Sequence, residues 1–210
     1  MTNKIDLRKE LKYLYAPSAK NVELVDVPAF KYVMVDGTVP AGVPVADAPE
    51  FAEAMTAMYG MSYTLKFASK LRKENPIDYT VMALEALWWV EGGEFEFGRK
   101  QDWRFTALMM QPDHITTEMY QQALEQLKKK KPSQGLAKLR FETFHEGLSV
   151  QVMHIGPYSA EQPTIERMKA FMKENGLVRN GHHHEIYFGD PRRSAPEKLK
   201  TILRQPVKKA

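Results

Sequence analysis

The strongest constraint on the fold is a pattern that occurs twice along the chain. The segment KYVMVDGTVP, residues 31–40, has the same rhythm as LSVQVMHIGP, residues 148–157, with a Val-Met pair in the middle of each. Gly156 in the second segment stands where Gly37 stands in the first. Because an internal repeat decides the architecture before any single element does, we expect two similar units.

The same order of elements follows each copy of the pattern. Apolar alternation predicts strands, and apolar spacing of three and four predicts helices. The first half contains a strand at 30–39, a helix at 49–73, strands at 79–90 and 103–110, and a closing helix at 116–131. The second half contains a strand at 148–157, a helix at 162–175, and strands at 182–190 and 201–207. The sequence therefore predicts an α+β fold, a tandem pseudo-two-fold repeat of strand-helix-strand-strand units with a central ligand cleft.

The chain length fits one domain made of two repeats that share a core. Its 210 residues are too few for a series of independent modules. Residues 1–25 are predicted to form an N-terminal helical extension, with a helix at 5–14, and residues 26–210 the domain. Within the domain, repeat one spans about 28–131 and repeat two about 139–208.

Composition excludes several classes of function. The chain has no cysteine, which removes disulfides, thiolate metal sites and cysteine nucleophiles. It has no apolar run of about 18 residues, and its start, MTNKIDLRKELKYLY, is charged rather than apolar as in a signal peptide. We therefore expect a cytoplasmic protein without a membrane partner.

Charge and motifs argue against nucleic acids, cofactors and metals. The net charge is +4, and the excess lies in Lys128–Lys131 and Arg192–Lys209, where no aromatic residues alternate with the basic ones. No glycine-rich phosphate loop or nucleophile elbow is present. His182, His183 and His184 are consecutive on a predicted strand, so they alternate between its faces and cannot all bind one ion. We expect no nucleic-acid partner, no cofactor and no metal.

Two glutamates mark the inner strands of the predicted repeats. Glu85 lies in LEALWW and Glu185 lies in HHHEIYF, so each is followed closely by aromatic residues. If the strands are equivalent, both carboxylates point into one cavity at the junction of the repeats, where ligand sites are common. Burying a carboxylate is costly unless it is used or paired. The alternative for Glu185 is therefore an ion pair with Arg192, Arg193 or a histidine.

Aromatic residues supply candidate walls for this cavity. Strand parity places Tyr187 and His183 on the face of Glu185, and Trp89 rather than Trp88 on the face of Glu85. Trp88 is then expected to pack under the helices. The remaining candidates are Trp103, which could form a slot with Trp89, Tyr63, which shares a helix face with Tyr59 and could roof the cavity, and Tyr158, at the Gly156-Pro157 turn. An ordinary core role remains the alternative for each aromatic residue.

Several segments in the same order resemble a known family. These are MYGMSYTLKF, DYTVMALEALWWV, WRFTALMMQPDHIT, EGLSVQVMHIGPY and HHEIYFGDPRR. Together with the repeat, they resemble the GyrI-like small-molecule-binding family, and most of all its stand-alone branch of cyclopropanoid cyclopropyl hydrolases. The resemblance implies a cleft with aromatic walls and a glutamate on the penultimate strand, which is Glu185 here.

The resemblance implies binding of flat, apolar or aromatic small molecules. In the enzyme interpretation, water adds to the cyclopropane of spirocyclopropyl genotoxins for detoxification, and Glu185 orients or deprotonates that water. A second interpretation is a non-catalytic sink or sensor in which Glu185 neutralises a cationic drug. A third is a gyrase-inhibitor-like protein that contacts gyrase through its surface.

Overall fold

The computed structural model describes residues 4–92, 101–130, 132–189 and 193–210. The strands are β1 (Glu23–Val27), β2 (Phe30–Val39), β3 (Leu84–Trp89), β4 (Trp103–Gln111), β5 (Arg140–Phe144), β6 (Gly147–Ile155), β7 (Leu177–Arg179), β8 (His183–Phe188) and β9 (Lys200–Lys209). The helices are α1 (Leu7–Glu10), α2 (Lys12–Tyr15), α3 (Pro49–Lys70), α4 (Thr117–Lys130), α5 (Gln134–Lys138) and α6 (Gln162–Glu174). Single turns of 3₁₀-helix occupy Val45–Asp47, Tyr158–Ala160 and Pro196–Lys198.

The two repeats lie side by side in one antiparallel sheet. Its strand order is β1-β6-β9-β8-β3-β4-β2-β5, and the short β7 pairs with β9. The first repeat therefore supplies the strands in the order β3-β4-β2, and the second supplies β8-β9-β6 in the mirrored direction. Strands β3 and β8 pair with each other where the repeats meet. The predicted fold class, an α+β tandem repeat, is confirmed, whereas the division into residues 1–25 and 26–210 stays a prediction.

Helices α3 and α6 pack on the same face of the sheet, which we call the inner face. Helix α3 packs on β2 and β4, and α6 packs on β6 and β7. The side chains of Met58, Met61 and Leu65 on α3 are fully buried in the larger core. Met168 and Met172 on α6 belong to a second cluster. The junction strands β3 and β8 thus lie between the two helices.

The opposite, outer face is covered at its centre by the start of the chain. The predicted helix at 5–14 is interrupted at Leu11, which leaves the short helices α1 and α2. The backbone carbonyls of Tyr13 and Leu14 accept hydrogen bonds from Gln151 on β6 and Arg204 on β9. These contacts hold the N-terminal segment against the sheet. None of the helices in the described ranges combines the length and apolar composition that crossing a membrane requires.

The two glycines of the repeated pattern are required for different reasons. A Cβ on Gly37 would lie 2.4 Å from the ring of Phe105 on the neighbouring strand β4. Gly156 instead adopts a φ of +137°, a conformation that residues with a side chain rarely adopt. The first glycine admits an aromatic ring against the inner face, and the second allows the turn after β6.

Candidate functional site

The register between β3 and β8 separates the two predicted glutamates. Glu185 lies opposite Ala86, and Glu85 lies opposite Ile186. Since directly opposed residues share a face of the sheet, Glu185 is on the inner face and Glu85 is on the outer face. The prediction that both carboxylates point into one cavity is wrong. The repeat relates the two strands, but Glu185 stands one residue before the position on β8 that corresponds to Glu85 on β3.

The predicted placement of Trp89 on the face of Glu85 and the predicted packing of Trp88 under the helices are confirmed, but Trp89 lies on the face opposite to Glu185. Trp88 lies opposite His183 and therefore shares the inner face with Glu185. Trp89 is on the outer face, where its ring stacks on that of His182 with centroids 4.3 Å apart. The predicted slot between Trp89 and Trp103 is wrong, because the ring of Trp103 contacts Trp88 at 5.7 Å in an edge arrangement.

The carboxylate of Glu185 is buried and held by its neighbours on β8. Its side chain is 8 % exposed. Oε2 accepts a hydrogen bond of 2.7 Å from the hydroxyl of Tyr187, and Oε1 lies 3.3 Å from Nε2 of His183. The strand parity predicted for these three residues is confirmed. The predicted alternative, pairing with a histidine, is thus present beside the carboxylate, whereas Arg192 lies outside the described residues.

The hydroxyl of Tyr187 links Glu185 to the aromatic wall. It accepts a hydrogen bond of 2.8 Å from Nε1 of Trp88 while it donates to Glu185. Burial raises the pKa of Tyr187 well above its usual range, and the charge of Glu185 raises it further. Tyr187 therefore remains protonated and serves as a hydrogen-bond donor.

Aromatic rings surround this chain of hydrogen bonds. Phe51 at the start of α3 stacks on Trp88 with centroids 6.0 Å apart, and Phe105 on β4 contacts both rings. Tyr158 meets the ring of Tyr187 edge-on at 5.7 Å. These five residues, from five separate segments of the chain, form an aromatic wall beside the inner-face carboxylate.

Tyr63 is placed on the solvent side of α3. Its side chain is 48 % exposed, and that of Tyr59, one turn earlier, is 41 % exposed. The predicted pairing of these tyrosines on one helix face agrees with this exposure. Contact between Tyr63 and a ligand stays a prediction.

A second inner-face carboxylate, Glu161, was not predicted from the sequence. It lies at the start of α6, directly after the turn Tyr158–Ala160, and is fully buried. Burial raises its pKa to about 9, the charge of Glu185 adds to the rise, and the hydroxyl of Thr201 offsets part of it. Thr201 lies opposite Tyr187, so Glu161 is next to the Glu185 cluster. Glu161 is therefore a neutral carboxylic acid at pH 7.

The outer face has its own buried polar network around Glu85. The hydroxyl of Tyr15 donates to Oε1 of Glu85 at 2.7 Å, and Nε2 of His184 lies 3.1 Å from Oε2. His184 also contacts Glu146 at 2.9 Å, and Arg204 contacts Glu146 at 3.1 Å. Two potential cations thus balance two carboxylates, as burial of charge requires. Glu85 is thus part of a buried ion-paired network on the outer face.

The pKa values within this outer network follow from its pairing. Burial alone would lower the pKa of His184, but Glu146 and Glu85 outweigh it and raise the value to about 9. Burial alone would raise the pKa of Glu146, but His184 and Arg204 lower the value to about 2. His184 and Glu146 are therefore both charged near neutral pH. Within the described ranges, no group of three or more acidic or histidine residues is arranged to hold a metal ion.

Comparisons with known proteins decide the family. The model of the GyrI-like small molecule binding domain matches residues 110–208. The crystal structure of an uncharacterized conserved protein from Listeria innocua is 38% identical, covers 98% of this chain and 100% of its own, and superposes with a TM-score of 0.86. The chain belongs to the GyrI-like family.

Two further structures show how far the likeness extends. A protein described as a hydrolase from Listeria innocua is 36% identical to this GyrI-like chain, covers 98% of it and 100% of its own chain, and has a TM-score of 0.82. The EcmrR C-terminal domain, 12% identical with a TM-score of 0.52 and covering 90% of this chain and 98% of its own, shares the fold. No curated protein matches the chain. The family resemblance predicted from the sequence is confirmed.

Proposed function

We propose that this GyrI-like chain binds flat, apolar or aromatic molecules at the inner-face junction and adds water to the cyclopropane of spirocyclopropyl genotoxins. The observation that carries the proposal is the buried carboxylate of Glu185, held by Tyr187 within an aromatic wall. The description of a 36%-identical structure as a hydrolase supports a hydrolytic reaction. The biological result is detoxification of such compounds.

The proposed reaction needs one base and a positioned substrate. In a spirocyclopropyl dienone, the water oxygen forms a bond to the cyclopropane CH₂, and the bond from that carbon to the ring breaks. Its electron pair enters the dienone, which becomes a phenolate. Glu185 accepts the proton that the water loses. A carboxylate held in one orientation by Tyr187 is suited to this task, since general bases act at hydrogen-bond distance.

The aromatic wall supplies the positioning. Trp88 and Tyr187 lie beside Glu185. When the planar ring system of a substrate stacks on these rings, the cyclopropane of the substrate is placed next to the base. Trp88 is only 2 % exposed and is packed against Phe51 and Phe105. A ligand must therefore separate some of these rings as it enters, which favours flat molecules over bulky ones.

A binding-only role is the second candidate, and one observation favours it. The carboxylate of Glu185 lies among the rings of Trp88 and Tyr187, an environment that attracts a cation both by charge and through the ring faces. A sink or sensor of this kind prefers cationic aromatic ligands and returns them unchanged. The hydrolase acts on neutral electrophiles and releases a product.

The deciding experiment is product analysis by mass spectrometry after incubation with a spirocyclopropyl dienone. The proteins are the wild type, Glu185→Gln and the control Glu197→Gln, which removes a carboxylate from an exposed turn before β9. We expect a product heavier by one water from wild type and control at sub-stoichiometric protein, and none from Glu185→Gln. If wild type binds the compound but returns it unchanged, the binding-only role replaces the hydrolase.

A further inference from the structure

Glu161 is a buried carboxylate that the water-adding step leaves unused. Both of its oxygens are inaccessible to solvent, and among the described residues neither has a hydrogen-bond partner in ordinary geometry. An ionised carboxylate in that position is strongly disfavoured, because the neighbouring hydroxyl of Thr201 replaces only part of the hydration that it loses. A protonated carboxyl group tolerates the same surroundings far better. The local geometry therefore favours the acid form.

The neighbouring Glu185 differs in the feature that decides protonation. It accepts a hydrogen bond from Tyr187 through one oxygen, and its other oxygen lies 3.3 Å from a nitrogen of His183. Two adjacent carboxylates disfavour double ionisation, and a shared proton goes to the member with the weaker hydrogen-bond donors. The proton of this pair belongs on Glu161, and Glu185 remains the base.

The other groups around Glu161 do not supply a positive charge. The titratable groups that face it are Glu185 and Tyr187, both on β8, and the neutral hydroxyl of Thr201 on β9 lies beside it. His154 on β6 is nearby in the fold, but its two ring nitrogens contact Thr164 and the carbonyl of Pro157. Burial lowers the pKa of His154, so it is neutral at pH 7. Among the described residues, no ion pair neutralises Glu161.

We propose that Glu161 is a second catalytic residue of this site, the general acid that protonates the oxygen anion formed when the strained ring opens. This inference rests on the proposed water addition. In that step Glu185 accepts one proton from water, and Glu161 gives its proton to the phenolate, so the product leaves as a neutral phenol. Atoms and charge balance, because the substrate gains one water and the pair still holds one proton.

The pair must be reset after each turnover. Glu161 is then ionised and Glu185 protonated, the reverse of the arrangement that the hydrogen bonds favour. The proton returns from Glu185 to Glu161 directly or by exchange with water when the product leaves. A cycle of this kind needs no added acid or base beyond the two carboxylates and water.

The resting proton is tested first, without any substrate. Infrared difference spectra between wild type and Glu161→Gln report the carbonyl stretch of a protonated carboxylic acid. We expect this band in wild type at pH 7 and its loss as the pH rises through about 9. Glu166→Gln, which removes an exposed carboxylate from the same helix, is the control and should leave the band in place. Absence of the band in wild type at pH 7 overturns the proposal.

The catalytic role is tested by single-turnover rates with the spirocyclopropyl dienone between pH 6 and 10. We expect Glu161→Gln to slow product formation by about 10²- to 10⁴-fold, as loss of a general acid does, and to abolish the fall in rate above about pH 9. Thermal melts confirm that the variant is folded. If Glu161→Gln turns over with the rate and pH profile of wild type, Glu161 is not the acid although the hydrolase stands. If wild type itself makes no product, the proposed function fails, and the role of Glu161 fails with it.

Discussion

The hydroxyl of Tyr187 donates a hydrogen bond of 2.7 Å to Glu185, the residue two positions earlier on the same strand. The pair lies on one face because side chains alternate along a strand. The same hydroxyl accepts from the indole of Trp88 across the junction of the repeats. One tyrosine thus fixes the orientation of a carboxylate from the second repeat and an aromatic ring from the first.

Replacing Tyr187 with Phe should cost both stability and turnover. The variant keeps the ring but removes the hydroxyl that accepts from the indole N–H of Trp88, which costs about 1–3 kcal/mol. Glu185 also loses the donor that orients it. Urea unfolding and product formation measure the two effects. Unchanged stability together with unchanged turnover would contradict the role assigned to this hydroxyl.

Trp88 and Trp89 should respond differently to the same substitution. Trp88→Phe reduces the stacking surface on the inner face, and we expect affinity for the ring-opened phenol to fall about tenfold. Trp89→Phe changes a ring that stacks on His182 on the outer face, and it should leave affinity within about twofold. Calorimetric titration of both variants provides the comparison. A larger loss for Trp89→Phe would place the ligand on the outer face.

Gly37→Ala should disrupt the aromatic wall through Phe105. Since the added methyl would lie 2.4 Å from that ring, Phe105 must move away from Trp88, and we expect a loss of about 1–3 kcal/mol in the free energy of unfolding. Gly60→Ala is the matched control. Gly60 lies inside helix α3, and the added methyl would meet the side chain of Leu127 on α4 at an ordinary distance of 3.8 Å. The substitution should therefore stabilise the protein by about 0.5–1 kcal/mol. A denaturant midpoint that falls for Gly37→Ala and rises for Gly60→Ala would support the close packing at Gly37. Equal midpoints for the two variants would refute it.

The outer network predicts a specific loss of stability in alkali. The pKa of His184 is about 9 in the folded protein, above its value of about 6.5 in an unfolded chain. Its stabilisation is therefore complete below pH 6.5 and is lost as the pH rises through about 9. His184→Gln lacks this contribution. The difference in unfolding free energy between wild type and variant should narrow by on the order of 2 kcal/mol from pH 7 to 9.5.

Denaturant unfolding at several pH values measures this narrowing. Lysine and tyrosine titrations occur in both proteins and cancel in the difference. A gap that stays constant across this range would mean that His184 does not carry a charge in the folded protein.

Much of the fold could be predicted because the apolar residues of each repeat follow the spacing of strands and helices. The strand at 30–39 coincides with β2, and the long helix predicted from residue 49 begins at Pro49. Strand β5 (Arg140–Phe144) was missed, since its residues are mostly polar and half exposed. It is held by pairing with β2 and by the contact of Arg140 with Asp36 at 2.6 Å, both of which depend on distant parts of the chain.

Of the candidate site, the sequence could predict only which side chains of strand β8 share a face. Parity along β8 correctly grouped Glu185 with Tyr187 and His183, because alternation is a local property. The partner of Glu185 across the junction depends on register, which no local pattern in LEALWW specifies. Glu161 was missed because it lies in a polar stretch, SAEQP, that is typical of a surface turn. Its burial results from packing of α6 against β6.

The hydrogen bond from Arg204 to the carbonyl of Leu14 joins residues 190 positions apart. During synthesis, the N-terminal segment therefore leaves the ribosome long before Arg204 is made. Until then Glu85 and Glu146 also lack the positive charge of this arginine. Long-range closures of this kind slow folding and prolong the exposure of incomplete sheet edges. Of the described strands, β9 is synthesised last, and it lies between β6 and β8 in the sheet. The candidate site is therefore completed only after β9 is synthesised, and a chain that ends before residue 204 should lack a stable sheet.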